Sequence, residues 1–441
     1  MILNKKKILL ALIILTYFSF ILGFILNENS AGAGSYNGDI SWIWKNIQIF
    51  ENNNLIQAIN HPDFFGNRTP LSYILHKYLN PFVHNYENFR ISILSLSLFG
   101  PIIFYFILKN NFPDIDRNLL FLISSILLLS PYYRTTAFWG LDENYALIST
   151  LLSFLFLNFY INNLNKNEVL AYIHLSLTIL FSSLCVYFDQ KFLLIPMICF
   201  FKIISSNPNP KRLIFTIGTY FVFAIPFVFL IIHWKGIVPP DTQFQNSNTI
   251  TSFSRLDKLW YPHIGYATTI IAFYLFPLLF FKDKNILIVV KDFFINKINY
   301  LSLFLFFIYL IYLINFFDFK EFTTIKYWIG LGYIHKVSLI LFDNFLFQEI
   351  FTYFAFFISW LIILIYIEGN LKDFLIVLYF YFLSLLLWPL MQEYFDPFVI
   401  LLGFIIFKAK IYINLTNTTF LVFYLSTFLI CANFYYFIKL S

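Results

Sequence analysis

Apolar runs recur along almost the whole chain, parted by short polar stretches. A helix that crosses a bilayer needs roughly 20 mostly apolar residues, because lipid satisfies none of its backbone polar groups. Marking the runs predicts helices over 8–26, 91–108, 118–133, 144–161, 169–187, 192–204, 213–232, 264–281, 298–316, 350–367, 374–390, 397–407 and 418–438. The stretch 325–347 is apolar but broken by Lys326, Gly330, Gly332, His335 and Lys336, and reads as interfacial, re-entrant or a pair of spans. The fold class expected is all-α: a polytopic transmembrane helical bundle of about 11–14 helices, with amphipathic helices in the first extracytoplasmic loop.

Composition agrees. The 441 residues are 60% hydrophobic and 12% charged, against about 25% charged in an ordinary soluble domain, so a water-soluble fold is excluded. The 61 Phe and 30 Tyr accompany abundant Ile, Asn and Lys, the residues an AT-rich genome supplies, so no aromatic is singled out by composition. Cys185, Cys199 and Cys431 each sit in an apolar stretch and give neither a disulfide framework nor zinc-ligand spacing. The net charge of +6 comes largely from short loops, as membrane topology requires, and gives nucleic-acid binding no support.

Charge placement predicts orientation. Lys5, Lys6 and Lys7 precede the first apolar run, which puts the amino terminus in the cytoplasm. A signal peptide is the competing reading, with Ser30–Gly34 as a small-residue cleavage site, but the run is longer than the usual 7–15 residues of such a signal. Alternating sides from there puts sixteen basic against seven acidic residues in the cytoplasm and thirteen against sixteen outside. The long loops at 27–90, 233–263 and 317–349 all fall outside. Long loops on one face mark the working face, so the chemistry is expected there.

Four outer segments carry the candidate chemistry. Asp39 follows the first helix exit; it either takes a proton from a hydroxyl or ligates a metal, or simply caps the amphipathic stretch at 43–59. Farther along that loop, Arg68 offers a phosphate contact just before Pro70-Leu71-Ser72-Tyr73-Ile74-Leu75, where proline starts a second amphipathic helix. Asp142 and Glu143 open a later helix eight residues after Arg134. A cap needs only one carboxylate, and Arg134 supplies a phosphate-shaped partner, so these three read as a site rather than a helix start. Lys191, beside Asp189, contacts a phosphate or belongs to a plain hairpin turn. Gln392, Glu393 and Asp396 lie between two late helices, as acceptor-site lining or as solvated turn residues.

An amino-terminal helix, a long outer loop with an early acidic residue, two amphipathic segments with a Pro-Leu-x-Tyr-x-Leu stretch, and an outer acidic pair opening a later helix together resemble the GT-C glycosyltransferase superfamily. The likeness covers roughly residues 1–205 and divides the chain into a conserved-type transmembrane module, 1–205, and a variable carboxy-terminal one, 206–441. It implies transfer of a sugar from a polyprenyl-phosphate or related lipid donor to an acceptor hydroxyl, outside an inner (plasma) membrane, on a glycan or lipid acceptor. Asp39 matches the catalytic acid of the first outer loop, with Glu28 or Asp63 as substitutes. Arg134, Lys191 or Arg68 would neutralise the departing phosphate, and a divalent metal, Mg or Mn, bridging Asp39 with Asp142 or Glu143 is compatible but not demanded. Gln392-Glu393-Tyr394-Phe395 is similar to an acceptor-side motif of some dolichol-dependent glucosyltransferases.

Two other classes compete. A lipid-linked glycan flippase or exporter would have as many helices, but transporters tend to carry internal repeats and midplane charges, and this chain crowds its charges at the outer edge. An O-antigen-type polymerase or ligase would use Arg255, Lys258 and His263. A structural scaffold needs no clustered carboxylates.

Overall fold

The first apolar run folds as α1 (Ile2–Ile25), and its Ile14, Leu15 and Phe18 are exposed where lipid would cover them. The structure is a computed structural model that describes residues 2–440 except 33, 35–37, 67, 165, 207–208, 237–238, 240–258, 283–285, 296, 325–329, 388–389 and 408–410. Among the described residues it is all helical, without a β-strand. Nine helices among the described residues are long and apolar enough to cross a membrane, or ten if one bent pair counts as a span. The protein is a multi-pass membrane protein.

Two compact units form: residues 1–247, 251–254 and 425–441, and residues 248–250 with 255–424. The first extends past the boundary expected at 205. The reason is visible in the helix after it: Tyr220 hydrogen-bonds Ser182 at 2.9 Å, and Tyr187 donates to the Phe223 carbonyl, tying residues 210–234 to residues 168–188.

In the first unit the loop after α1 carries two amphipathic helices, as expected. In α2 (Asp39–Asn52), Ile40, Ile43, Ile47 and Phe50 recur at helical spacing and are buried. Helix α3 (Leu71–Leu79) follows Pro70 directly and buries Ser72, Tyr73 and His76 on one side. Lys77 Nζ donates to the Phe50 carbonyl at 2.7 Å, so α3 closes the carboxyl end of α2. The span α4 (Tyr86–Asn111) comes next.

The run expected as one helix over 118–133 is instead α5 (Arg117–Leu129) followed, after a 69° bend, by α6 (Pro131–Trp139). Pro131 has no N–H to continue the ladder, and Ser130 Oγ accepts from Tyr133 N at 2.9 Å, starting a new helix at that point. Gly140, at φ +70, ends α6, and a Cβ there would collide with Phe89. Helices α7 (Glu143–Asn163) and α8 (Glu168–Phe188) then pack side by side, followed by the short α9 (Leu194–Ser205) and the long α10 (Pro210–Trp234).

The second unit is built on α11 (Pro262–Leu275), α12 (Lys297–Phe316), α13 (Gly332–Leu341), α14 (Phe345–Ile367), α15 (Leu371–Leu386) and α16 (Phe398–Ile405). The last helix, α17, is Leu415–Leu440. Helices α11 and α14 run in the same direction in close contact: Tyr266, in the first half of α11, meets Phe356 at the middle of α14, and Lys282, seven residues past the end of α11, donates through Nζ to the Ile365 and Tyr366 carbonyls near the end of α14. The broken stretch 325–347 contains one ten-residue helix, α13, entered through Leu331 and Gly332, both at positive φ. Lys326 of that stretch lies outside the described residues.

Candidate functional site

Segments far apart in sequence meet at one end of the first unit, each delivered by a local device. The loop bearing Arg68 is pinned at two points. Asn46 of α2 pairs with the Phe65 backbone through its amide, and Thr69 Oγ1 donates to the Tyr187 carbonyl at the end of α8. Gly140 turns the chain so that Asp142 and Glu143 begin α7 immediately afterwards. Asp189 ends α8 in an extended conformation and accepts from Lys191 N at 3.0 Å, which starts the next turn.

The guanidinium of Arg68 joins these pieces. Its NH1 lies 3.9 Å from Asp142 Oδ2 and its Nε 3.3 Å from Asp189 Oδ2, while NH2 pairs with Glu143 Oε1. Lys191 Nζ stands 3.0 Å from Asp189 Oδ2 and 3.7 Å from Glu143 Oε1. Asp142, Glu143, Asp189 and Lys191 are all under 10% exposed. Unpaired charges would be very costly at such burial, and the reciprocal contacts among these groups offset that cost. Glu143 Oε2 is buried with no hydrogen-bond partner.

Asp39 stands at the edge of this cluster, half-buried, its Oδ1 accepting from Trp42 Nε1 at 3.3 Å. It does not cap α2: Gly38 holds that position and no side chain caps the helix. Nor does Asp142 cap α7 through its side chain. Burial raises the Asp39 carboxyl above its ordinary range, Glu143 adds to the rise, and Arg68 opposes it. Burial pushes Asp142 up to about 7 against the pull of Arg68. Burial also acts on Asp189, but Lys191 and then Arg68 outweigh it and hold that carboxyl below its usual range.

A second layer lies behind the carboxylates. Tyr73, fully buried, accepts from Asn46 Nδ2 at 3.2 Å and lies in electrostatic reach of Asp142, as does Tyr145. Tyr145 in turn contacts His76 Nε2 at 2.8 Å. Asn80 Oδ1 accepts from Phe82 N, so its amide nitrogen faces His76 Nδ1 at 3.1 Å and leaves the imidazole proton on Nε2. Burial lowers the His76 pKa to about 4, so the ring is neutral at physiological pH.

The structure thus brings Asp39, Arg68, Asp142, Glu143 and Lys191 together and places the other candidates elsewhere. Arg134 has all five N–H groups engaged: with both Glu28 oxygens, twice with Ser19, and with the Leu128 carbonyl. A phosphate role for Arg134 therefore has no donor left to serve it, and the pair instead clamps α6 to α1. Gly23 permits this, since a Cβ there would strike both Arg134 and Glu28. Gln392 and Glu393 belong to the second unit, where Gln392 is buried and its Nε2 donates to Tyr274 at 3.1 Å. Asp63 sits at the surface, 3.6 Å from Lys45. Arg255 and Lys258 lie outside the described residues; His263 is buried in the second unit with Nδ1 at 3.0 Å from the Ser384 carbonyl.

Among the described residues no three His, Cys, Asp or Glu side chains converge as a metal-ligating group. Asp142, Glu143 and Asp189 are instead paired with Arg68 and Lys191. No step below passes through a metal.

The sequence leaves Asp189 open between a plain hairpin turn and a functional membrane-edge group, and does not single out Tyr73, His76 and Tyr145. One signal was present for two of these: Ser72, Tyr73 and His76 fall on a single face of the amphipathic α3, a polar stripe where an apolar one would suffice for packing. No family model, curated protein or solved structure matches the chain.

Proposed function

We propose that the cluster of Asp39, Arg68, Asp142, Glu143, Asp189 and Lys191 is the active site of a GT-C-type membrane glycosyltransferase. It moves a sugar from a lipid-phosphate donor to an acceptor hydroxyl on the extracytoplasmic face of the inner (plasma) membrane, with the amino terminus in the cytoplasm. What carries the reading is the convergence of four distant segments on one buried set of carboxylates and two cations, at the helix ends where a lipid headgroup would lie.

The chemistry follows from that set. An acceptor hydroxyl attacks the anomeric carbon; its proton passes to a carboxylate; the lipid phosphate leaves with the bonding electrons. Asp39, the most accessible of the four acids, receives the proton. Asp142, whose carboxyl titrates near neutrality, switches the charge opposite Arg68. With Asp142 protonated, the guanidinium is less fully matched and attracts the donor phosphate, and Lys191 adds a second positive charge. Glu143 and Asp189 hold the two cations in place.

The test is surface glycan in cells carrying Asp39→Asn, or Asp142→Asn with Glu143→Gln, each checked for folded protein in the membrane. Loss of the glycan together with accumulation of the lipid-linked donor supports the proposal. Full activity in both variants overturns it, and movement of lipid-linked oligosaccharide across liposomes by the purified protein would favour an exporter instead.

A further inference from the structure

Buried polar atoms without partners gather in the second unit, on three helices: Tyr266 Oη on α11, His335 Nδ1 on α13, and Gln348 Oε1 and Thr352 Oγ1 on α14. All four side chains are 5% exposed or less. A polar atom buried without a partner suffers its full desolvation penalty, and native interiors keep such groups where water or a ligand completes them.

These atoms share one seam. Tyr266 stands edge-on to His335 at 6.2 Å and to Phe356 at 5.0 Å. Gln348, Thr352 and Phe356 follow at four-residue intervals, so they line one face of α14. Gln348 Nε2 donates to the Phe342 carbonyl, where α13 ends, and the tight turn to Asn344 sends α13 back along α14. The face that begins at Gln348 therefore runs beside α13 toward His335 and reaches Tyr266 at Phe356.

We propose that this seam binds a neutral, polyhydroxylated group such as a glycosyl unit. The unpartnered atoms are a phenol, a hydroxyl, an imidazole nitrogen and an amide oxygen, none of which carries a charge when neutral imidazole is present. Together they donate and accept, as a ring of hydroxyls requires. Phe356 and Phe322, the latter stacked 6.3 Å from Tyr266, give apolar ring faces to the same place. A small-ligand site of this kind combines apolar walls with a few convergent polar groups. The proposal stands apart from the reaction assigned to the first unit and does not depend on it.

The experiment uses the full chain in nanodiscs and saturation-transfer NMR with free glucose, galactose, mannose, N-acetylglucosamine and arabinose, and with inorganic phosphate in a parallel 31P titration. At least one saccharide should show transfer from wild type. The double variant Tyr266→Phe/Thr352→Val, which removes two hydroxyls and almost no volume, should reduce it fivefold or more while circular dichroism and elution volume stay unchanged. Should that variant misfold, the single variant Thr352→Val is read in its place, with at least a twofold loss expected. No transfer from any saccharide, transfer unchanged in the variants, or binding of phosphate alone each overturns the proposal.

Discussion

At the residue scale, the site turns on Arg68, which touches three carboxylates from two helix ends. Removing one partner of a buried ion pair leaves the others uncompensated, at a cost of about 3–5 kcal/mol. Arg68→Met should therefore lower the melting temperature in detergent by several degrees as well as abolish transfer, whereas Arg68→Lys should keep much of the stability and lose most of the activity. Equal effects of the two variants on both readouts would count against the geometry. Asp142 gives a second test, through pH. Its folded-state pKa, about 7, lies above the ordinary 3.8, so the folded protein holds its proton more tightly than the unfolded chain. That stability is fully present below about pH 4 and is lost as pH rises through 7. Melting curves at pH 5 and pH 8 should show a smaller drop for Asp142→Asn than for wild type. Parallel drops would mean that Asp142 does not titrate in this range.

At the scale of elements, the site depends on how helices begin and end. Gly140 closes α6 in a left-handed conformation two residues before Asp142, with Phe89 where a Cβ would go. An alanine there carries about 1–2 kcal/mol of backbone strain plus the collision. Gly140→Ala should reduce thermal stability and transfer together, and a fully active, fully stable variant would show that the α6–α7 junction does not set the site. The Arg134–Glu28 clamp is expected to behave differently. Arg134→Gln should lower the yield of folded protein by disconnecting α6 from α1, and the surviving fraction should bind lipid donor with unchanged KM, measured by turnover against donor concentration. Much of this layer was legible in the apolar pattern. Every expected run contains a helix, but 192–204, 374–390 and 397–407 yield Leu194–Ser205, Leu371–Leu386 and Phe398–Ile405, shorter than the other spans. Hydropathy averages over a window and does not register where a carbonyl loses its partner. Pro131 illustrates this: it was inside an expected span, and its missing N–H, with the Ser130 cap, turned one helix into two.

At the scale of the molecule, the apolar pattern announced a multi-pass helical protein, and that much was readable before any coordinates. The candidate site was readable in part. Asp142, Glu143 and Lys191 stood out as charges at the edges of apolar runs, where an ionisable group needs a reason, and Asp39 and Arg68 as charges beside the amphipathic stretches of the first outer loop. Their convergence was implied only by the family resemblance and not by the apolar pattern, because it rests on contacts such as Thr69 with Tyr187, 118 residues apart. Arg134 misled for the opposite reason: its spacing to Asp142 suggested one site, while its partner, Glu28, lay 106 residues away on another helix exit. The unit boundary moved beyond 205 because α10 packs on α8 through Tyr220 and Tyr187, polar contacts that composition does not display.

The most direct test is sugar transfer in membranes from a radiolabelled polyprenyl-phosphate sugar to extracted acceptor, comparing wild type with Asp142→Asn/Glu143→Gln at equal amounts of folded protein. We predict product formation by wild type and a loss of about 100-fold or more in the double variant, which removes the Glu143 charge that holds Arg68 and Lys191 in place, a loss of the size that disrupting preorganised electrostatics causes. Product at the wild-type rate from the double variant would contradict the account.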